Sequence, residues 1–573
     1  MMRGKILSIL FFVFSFSLCE GQSWMWGEQG KIKWTQDLGE GFGTATDSVH
    51  DIYFVGYFRD TVSFGAYSIA TNQYYGDVYL VKYDSNGNVL WVTAPNTKAT
   101  ISSSDAWIVS TDAVGNAYVT GQIYDTVIFG SFKLFAHRYG VFLTKYDKNG
   151  NVIWARQSDG DGNGEGAGLS ICTDNHKHEY ITGVFSDTLY FGTDTLRTSS
   201  NDIFIVKYDS NGNVIWSKQA IIQSKNSSGI AYSVAYDNMN NIYVTGYFQD
   251  TITFGTTELI SSNNDVFLAK YDSSGNVLWA KQCGTNRNSS AYGYAVASDM
   301  NGNAYVTGYF KDTINFGTHI LMNDTKYANF FITKFDLNGN VIWAKAPIVL
   351  DTNGWEGYAL STDRLGHLYF TGGAASGYAY DEGIVFEGDT FSLKNGYDAS
   401  ILLKLDTSGN LLCGTILTSG GDDANSIVCD PTGKYVYMGG DLVTGISSYI
   451  FGQDTLTSNF GAGSEYPFVA RWQPCDTNIT TSIPPISNKP SISLFPNPSP
   501  GLFTLAFAGQ QNVVSGRIEV YNVLGEKVTI ATLKQVQSDN RIDLTNQPNG
   551  IYLYRVISED GNVLGSGKII VQK

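Results

Sequence analysis

Three short signatures recur along this chain in fixed order, about sixty-three residues apart, and repetition at such a period restricts the fold more than any other feature. In the first, a strand ending in Gly runs into an aromatic segment built on Asp-Thr and closed by Phe-Gly. VGYFRDTVSFG from Val55 has copies from Thr120, Thr182, Thr245 and Thr307, with worn copies around Gly372 and Gly439. The second is an apolar strand ending Lys-Tyr-Asp, at Asp84, Asp147, Asp209, Asp272 and Asp336, then LLKLD to Asp406 and VARWQ around Trp472. The third follows an Asn-Gly turn, as NGNVLW to Trp91, with copies ending at Trp154, Trp216, Trp279, Trp343 and Cys413. This last signature stops at six copies, so the seventh is sought at the other end of the chain, in QGKIKWTQ around Trp34. The expectation is an all-β fold, a seven-bladed β-propeller of four-stranded blades. Ile32–Thr35 would supply the outer strand beside Val469–Trp472, because radial closure removes the long exposed edge an open sheet leaves.

In the fourth copy the strands fall near Ser233–Tyr236, Ile242–Tyr247, Val266–Tyr271 and Val277–Lys281. They are apolar on both faces, as sheets sandwiched between neighbours require. The Trp that ends each outer strand could be mistaken for a sugar platform. Its recurrence in copy after copy assigns it to packing, where burying such a ring is worth several kcal/mol. The runs DAVGNAYVTG from Asp112, DNMNNIYVTG from Asp237 and DMNGNAYVTG from Asp299 share a D-x-x-x-N-x-Y-V-T-G pattern. Over residues 24–473 the chain resembles the secreted bacterial β-propeller repeat family, akin to NHL-type propellers. That resemblance implies a fold and little about function, since propellers host binding and catalysis alike.

The two ends carry addresses. Arg3 and Lys5 precede an apolar run, Ile6–Leu18, and small residues allow cleavage before Gln22, so residues 1–21 read as a signal peptide. The alternative, lipidation at Cys19, is disfavoured by the bulky Leu18 before it. No later run reaches the ~18 apolar residues of a membrane helix. The propeller is placed at 22–475, a Pro/Ser/Thr-rich linker at 476–490, and a distinct β-rich domain at 491–573. LFPNPSPGLFTL from Leu494, IEVYNVLGEKV from Ile518, IDLTNQPNGIYLYRV from Ile542 and the ending KIIVQK resemble the type A sorting domain of type IX secretion. The resemblance implies a small antiparallel β-sandwich, the type IX machinery as partner, and a secreted or outer-membrane surface-attached protein.

A net charge of −16 with no basic cluster excludes nucleic acid and anionic membrane surfaces as partners. After Cys19, five cysteines remain, in no zinc spacing and no dense disulfide pattern; a single Cys413–Cys429 bridge is left open. The six scattered histidines form no HExxH, and His176 and His178 are assigned to a solvated turn between two strands. DSNGNVLW superficially resembles the Asp-box of sialidases, but its spacing differs and a hairpin explains it. DGDGNGEG offers Asp159, Asp161, Asn163 and Glu165 as a weak calcium loop. Against this, an EF-hand register would place Ser170 where the bidentate Glu belongs, so a solvated inter-blade loop is favoured. Asp-Thr motifs at Asp60, Asp125, Asp187, Asp250, Asp312 and Asp454 resemble bacterial O-glycosylation acceptors, although turn closure accounts for them. No catalytic residues and no cofactor are assigned. The favoured reading is a non-catalytic module binding an extracellular glycan or protein. The alternatives are a glycan hydrolase or lyase with its site in the channel, and a passive surface scaffold. Functional groups should depart from the repeat, as DGDGNGEG and GYAYDEG from Gly377 do.

Overall fold

A computed structural model of the chain describes residues 22–32, 39–72, 75–96, 102–160, 163–285, 289–350, 354–375, 383–392, 399–418, 422–430, 432–443, 448–451, 454–457, 465–475, 491–495, 498–508, 516–522, 527–533, 541–558 and 563–573. The signal peptide, Trp34, Asp161 and most of GYAYDEG lie outside them. Two compact units divide the chain, Met1–Thr477 and Asn478–Lys573. All helix and strand segments among the described residues are strands.

Each repeat makes an antiparallel meander whose first two and last two strands are joined by tight hairpins. In the second hairpin type the Asp84 carboxylate accepts the backbone amides of Asn86 and Asn88 (2.8 and 2.9 Å) and the Asn88 side-chain amide (2.8 Å). Gly87 supplies the positive φ of 89° that closes the turn. The same pattern recurs at Asp147, Asp209, Asp272, Asp336 and Asp406. Partial burial pushes the carboxyls of Asp84, Asp147, Asp209, Asp272 and Asp336 up, but these hydrogen bonds prevail and hold them below the usual range.

The first strands touch in cyclic order: Gly39–Thr46, Ser103–Thr111, Glu165–Thr173, Gly229–Tyr236, Ala291–Ser298, Gly354–Thr362, Asp422–Cys429, and back to Gly39–Thr46. They begin what we call the first to seventh sheets. Side chains staple each sheet to the next. Trp91, Trp154, Trp216, Trp279 and Trp343 each donate the indole N–H to a carbonyl in the next sheet's hairpin, at 3.0–3.3 Å. A Cβ on the hairpin glycine would strike that indole, as Gly150 shows against Trp91 at 2.9 Å. Lys145, Lys207, Lys270, Lys334 and Lys404, all nearly buried, donate to carbonyls of the following sheet. Each ammonium also lies over a buried Tyr ring of its own sheet, at 4.8–5.5 Å. In the sixth sheet Cys413 stands where the others have Trp, and a disulfide to Cys475 takes the place of the staple. Cys429, the partner left open in the sequence, is buried and unbridged.

The N-terminal strand corrects one expectation. Ser23–Gln29 pairs with Glu465–Gln473 in the seventh sheet, Trp24 opposite Trp472. Trp26, and not Trp34, donates to the Ser85 carbonyl at 3.2 Å and so fills the Trp position. Lys31–Ile32 instead pairs with Val62–Ser63, in a separate three-stranded sheet built on the Asp-Thr-Phe-Gly segment of the first repeat. Ile221–Ile222 pairs likewise with Ile252–Thr253, at the same distance from Trp216. The motif misled because a closing strand has no hairpin before it, and so no Asn-Gly-Asn to mark it.

The Asp-Thr-Phe-Gly segments are strands as well, which the sequence reading left unassigned. Thr251–Phe254 and Thr257–Ile260 form a hairpin that takes up the crossover from the preceding sheet. The Asp that opens it, Asp250, sits at a φ of 68°, and Asp60, Asp125, Asp187 and Asp312 lie between 57° and 64°. Asp tolerates this left-handed region better than most residues, which accounts for the motif in turn geometry.

The second unit holds two antiparallel sheets. Ser491–Phe495, Leu502–Ala508 and Arg541–Asp543 form one; Lys527–Leu533, Gly516–Tyr521, Gly550–Ser558 and Val563–Val571 form the other. One core takes Phe503 and Ile542 from the first sheet and Ile518, Val520, Val556 and Ile569 from the second.

Candidate functional site

The first strands enclose a channel, so side chains on them that stay partly exposed face into it. In the first six sheets those positions lie five and seven residues before the first-hairpin Asp: Glu40 and Phe42, Asp105 and Trp107, Ala167 and Leu169, Ile230 and Tyr232, Tyr292 and Tyr294, Glu356 and Tyr358. Alternation along a strand puts both members of a pair on one face. The residue between them is Gly or Ala, because the neighbouring sheet leaves no room. A Cβ at Gly357 would lie 2.2 Å from the Thr307 hydroxyl.

Across the fourth and fifth sheets these positions merge with Tyr247 and Tyr309 of the second strands into an aromatic cluster. Tyr232 meets Tyr294 edge-on at 5.2 Å, Tyr292 stacks on Tyr309 at 4.9 Å and 19°, and Tyr247 lies 4.7 Å from Tyr292. Asn264 donates its amide to the Tyr292 hydroxyl. Burial raises the pKa of Tyr232, Tyr292, Tyr294 and Tyr309. Glu356, in the sixth sheet, adds to the rise at Tyr294 and Tyr309. All four phenols therefore keep their protons and remain hydrogen-bond donors. Across the channel, burial pushes the Asp105 carboxyl up, while the Gln122 amide at 2.9 Å opposes the rise. The arrangement offers ring faces, phenolic donors and carboxylate acceptors within one concavity.

The sequence reading missed this cluster. Its signal was a departure from the repeat: aligned on the hairpin Asp, only the fourth to sixth copies carry Tyr five residues upstream, where the third has Leu169.

The calcium candidates lie elsewhere. Asp159 belongs to a two-residue crossover strand, Asp159–Gly160, pairing with Tyr190 and Leu189, and its carboxylate accepts the Gln157 amide at 3.1 Å. It lines a pocket of about 230 Å³ with Phe135, His137 and Arg138. Glu165 pairs with Arg138 at 2.6 Å, and Asn163 is exposed. The first hairpin of the third sheet, by contrast, brings Asp174, His176 and His178 together, with a ligand atom of each within 4.8 Å of the others.

In the second unit Glu519, nearly buried, gathers Arg517, Lys527 and Arg555 at 2.7–3.0 Å and accepts the Tyr521 hydroxyl at 2.6 Å. These bonds, with Tyr521 the strongest, hold its carboxyl well below the usual range.

Comparison with known proteins separates the two units. Residues 493–572 match the pattern of a secretion system C-terminal sorting domain, and residues 278–309 match a β-propeller repeat. The chain is a β-propeller-repeat protein with a type IX sorting tail. The tail makes it a secreted or surface-attached protein that engages the secretion machinery. Of its described residues, no helix is long and apolar enough to cross a membrane. An uncharacterised WD repeat-containing protein of Acanthamoeba polyphaga mimivirus is 28% identical to the propeller-repeat protein over 255 residues, 36% of the chain and 18% of that relative. Among solved structures, the WD40 repeats of RRP9 align at 8% identity and a TM-score of 0.34, covering 77% of this chain and 98% of that one. A Bacteroides caccae protein of unknown function aligns at 9% identity and a TM-score of 0.31, covering 59% and 89%.

Proposed function

We propose that this secreted protein is a seven-bladed β-propeller with a β-sandwich as its sorting tail. In this reading the tyrosine-lined stretch of its channel binds extracellular glycan without chemical turnover. The closed cycle of first strands supports the blade count, and the core shared by both tail sheets supports the sandwich.

The observation that carries the binding reading is the tyrosine cluster, because the frame does not require it. The third sheet is built with Ala167 and Leu169 at the same two positions. Tyrosine supplies wide, rigid contact area at little conformational cost. Sugars present C–H faces to such rings and hydroxyls to phenols and carboxylates, and Glu356 stands beside the rings to accept them.

Polysaccharide binding to the full secreted chain, with product analysis, tests this. Tyr294→Ala is expected to weaken binding by about 30-fold, the effect of losing a ~2 kcal/mol anchor. Leu169→Ala should leave binding unchanged. Equal binding by native and Tyr294→Ala protein would reject the site, and released products would reject the non-catalytic reading.

A further inference from the structure

The first hairpin of the third sheet is written differently from its siblings. In the first six sheets the Asp carboxylate that caps this hairpin accepts backbone amides two and four residues on, as Asp112 and Asp299 do, while Asp430 of the seventh accepts those four and five residues on. The side chain four residues on is Asn in the second, fourth and fifth sheets and Asp51, His178, His367 or Lys434 in the others, and the one two residues on varies among Val49, Val114, Met239, Asn301, Leu365 and Thr432. Only the third sheet places imidazoles at both positions, His176 and His178.

Asp174 is fully engaged as the cap. Its carboxylate accepts the amides of His176 and His178 at 2.8 and 2.9 Å, the Tyr180 hydroxyl at 3.2 Å, and lies 2.9 Å from His178 Nδ1. A carboxylate held at Nδ1 orients the ring with Nε2 turned outward, the arrangement that carboxylates impose on metal-binding histidines. His176 stands next to it, exposed, its ring tilted 28° from that of His178 with centroids 6.0 Å apart.

We propose that His176 and His178 form a surface site for a divalent transition-metal ion such as zinc, with Asp174 as positioning residue and water filling the remaining positions. Two imidazoles suit zinc or copper rather than calcium, which prefers oxygen. The site lies at the opposite end of the strands from the tyrosines and does not depend on the glycan reading. The sixth sheet provides an internal control: Asp363 holds His367 by the same 2.8 Å contact, but Leu365 occupies the other position.

Calorimetric titration of the full chain with zinc tests the assignment. One saturable event is expected in native protein and in His367→Asn, and its loss in His176→Asn, an exposed substitution that leaves the cap intact. No saturable event in native protein, an unchanged one in His176→Asn, or its loss in His367→Asn would overturn the site.

Discussion

The third and fifth sheets share one frame and spend their variable positions differently. In both, the outer Trp donates to the next sheet's hairpin, Trp216 to Ser273 at 3.2 Å and Trp343 to Thr407 at 3.3 Å. In both, a buried Lys reaches the same carbonyl, Lys207 at 3.1 Å and Lys334 at 3.0 Å. The differences gather at the two ends of the first strand. At the channel end the third sheet has Ala167 and Leu169 where the fifth has Tyr292 and Tyr294. At the hairpin end the third has His176, His178 and Glu179 where the fifth has Asn301, Asn303 and Ala304. The middles of the strands face neighbouring sheets on both sides and exchange only small and aliphatic residues, Ser170, Ile171, Cys172 and Thr173 against Ala295, Val296, Ala297 and Ser298. The ends meet solvent on one side and can.

If the frame is common, its loss should cost the same in either sheet. Trp343→Ala, and Trp216→Ala to a slightly smaller degree, should each destabilise the propeller by about 3–5 kcal/mol. Urea unfolding followed by tyrosine fluorescence measures this. A cost below about 1 kcal/mol in one sheet would mean the staples are not equivalent.

Glu179 is where the third sheet departs at a cost to stability. It is fully buried, beside Tyr118 and Lys145 of the second sheet. Burial pushes its carboxyl up to about 9, against the opposing influence of the nearby Tyr118 hydroxyl and the charge of Lys145. The folded chain therefore keeps this proton at neutral pH, while the unfolded chain releases it near 4.5. The folded state binds more protons across that window, so this group lowers stability as pH rises from about 4.5 towards 9 and has no such effect below it. Glu179→Ala, restoring the residue found at 304, should stabilise by on the order of 2 kcal/mol at pH 8 and much less at pH 5. Equal gains at both pH values would show that Glu179 is ionised in the fold.

What could be seen in the sequence follows the same division. The sheets are legible because mid-strand residues and hairpins are held by packing and by φ, and so recur as close variants of one pattern. Closure was legible in kind, but its strand was misplaced, since Trp26 lacks the preceding hairpin that marks every sibling. The tyrosine cluster is present as letters that look like ordinary variation, and His176 and His178 read as a solvated turn. The meaning of the tyrosines depends on which strand ends meet across sheets, which only the ring determines, whereas the two histidines are brought together within one hairpin by its Asp174 cap. The Cys413–Cys475 bond was hidden for the same reason: Cys413 sits in the Trp position, and its partner lies in the neighbouring sheet.

The smallest effect concerns the residue between the two histidines. Lys177 holds a φ of 64°, where the fifth sheet has Gly302 at 73°. A side chain in this region costs about 1 kcal/mol, from the approach of Cβ to the following carbonyl. Glycine removes that strain, although its looser unfolded state returns part of the gain. Lys177→Gly is therefore expected to stabilise by about 0.5 kcal/mol and to leave zinc binding unchanged, because the imidazoles and their Asp174 cap are untouched. Thermal unfolding and the zinc titration on the same variant check both. Loss of zinc binding with stability gained would mean that the lysine's strained turn, rather than the Asp174 cap, sets the spacing of the two rings.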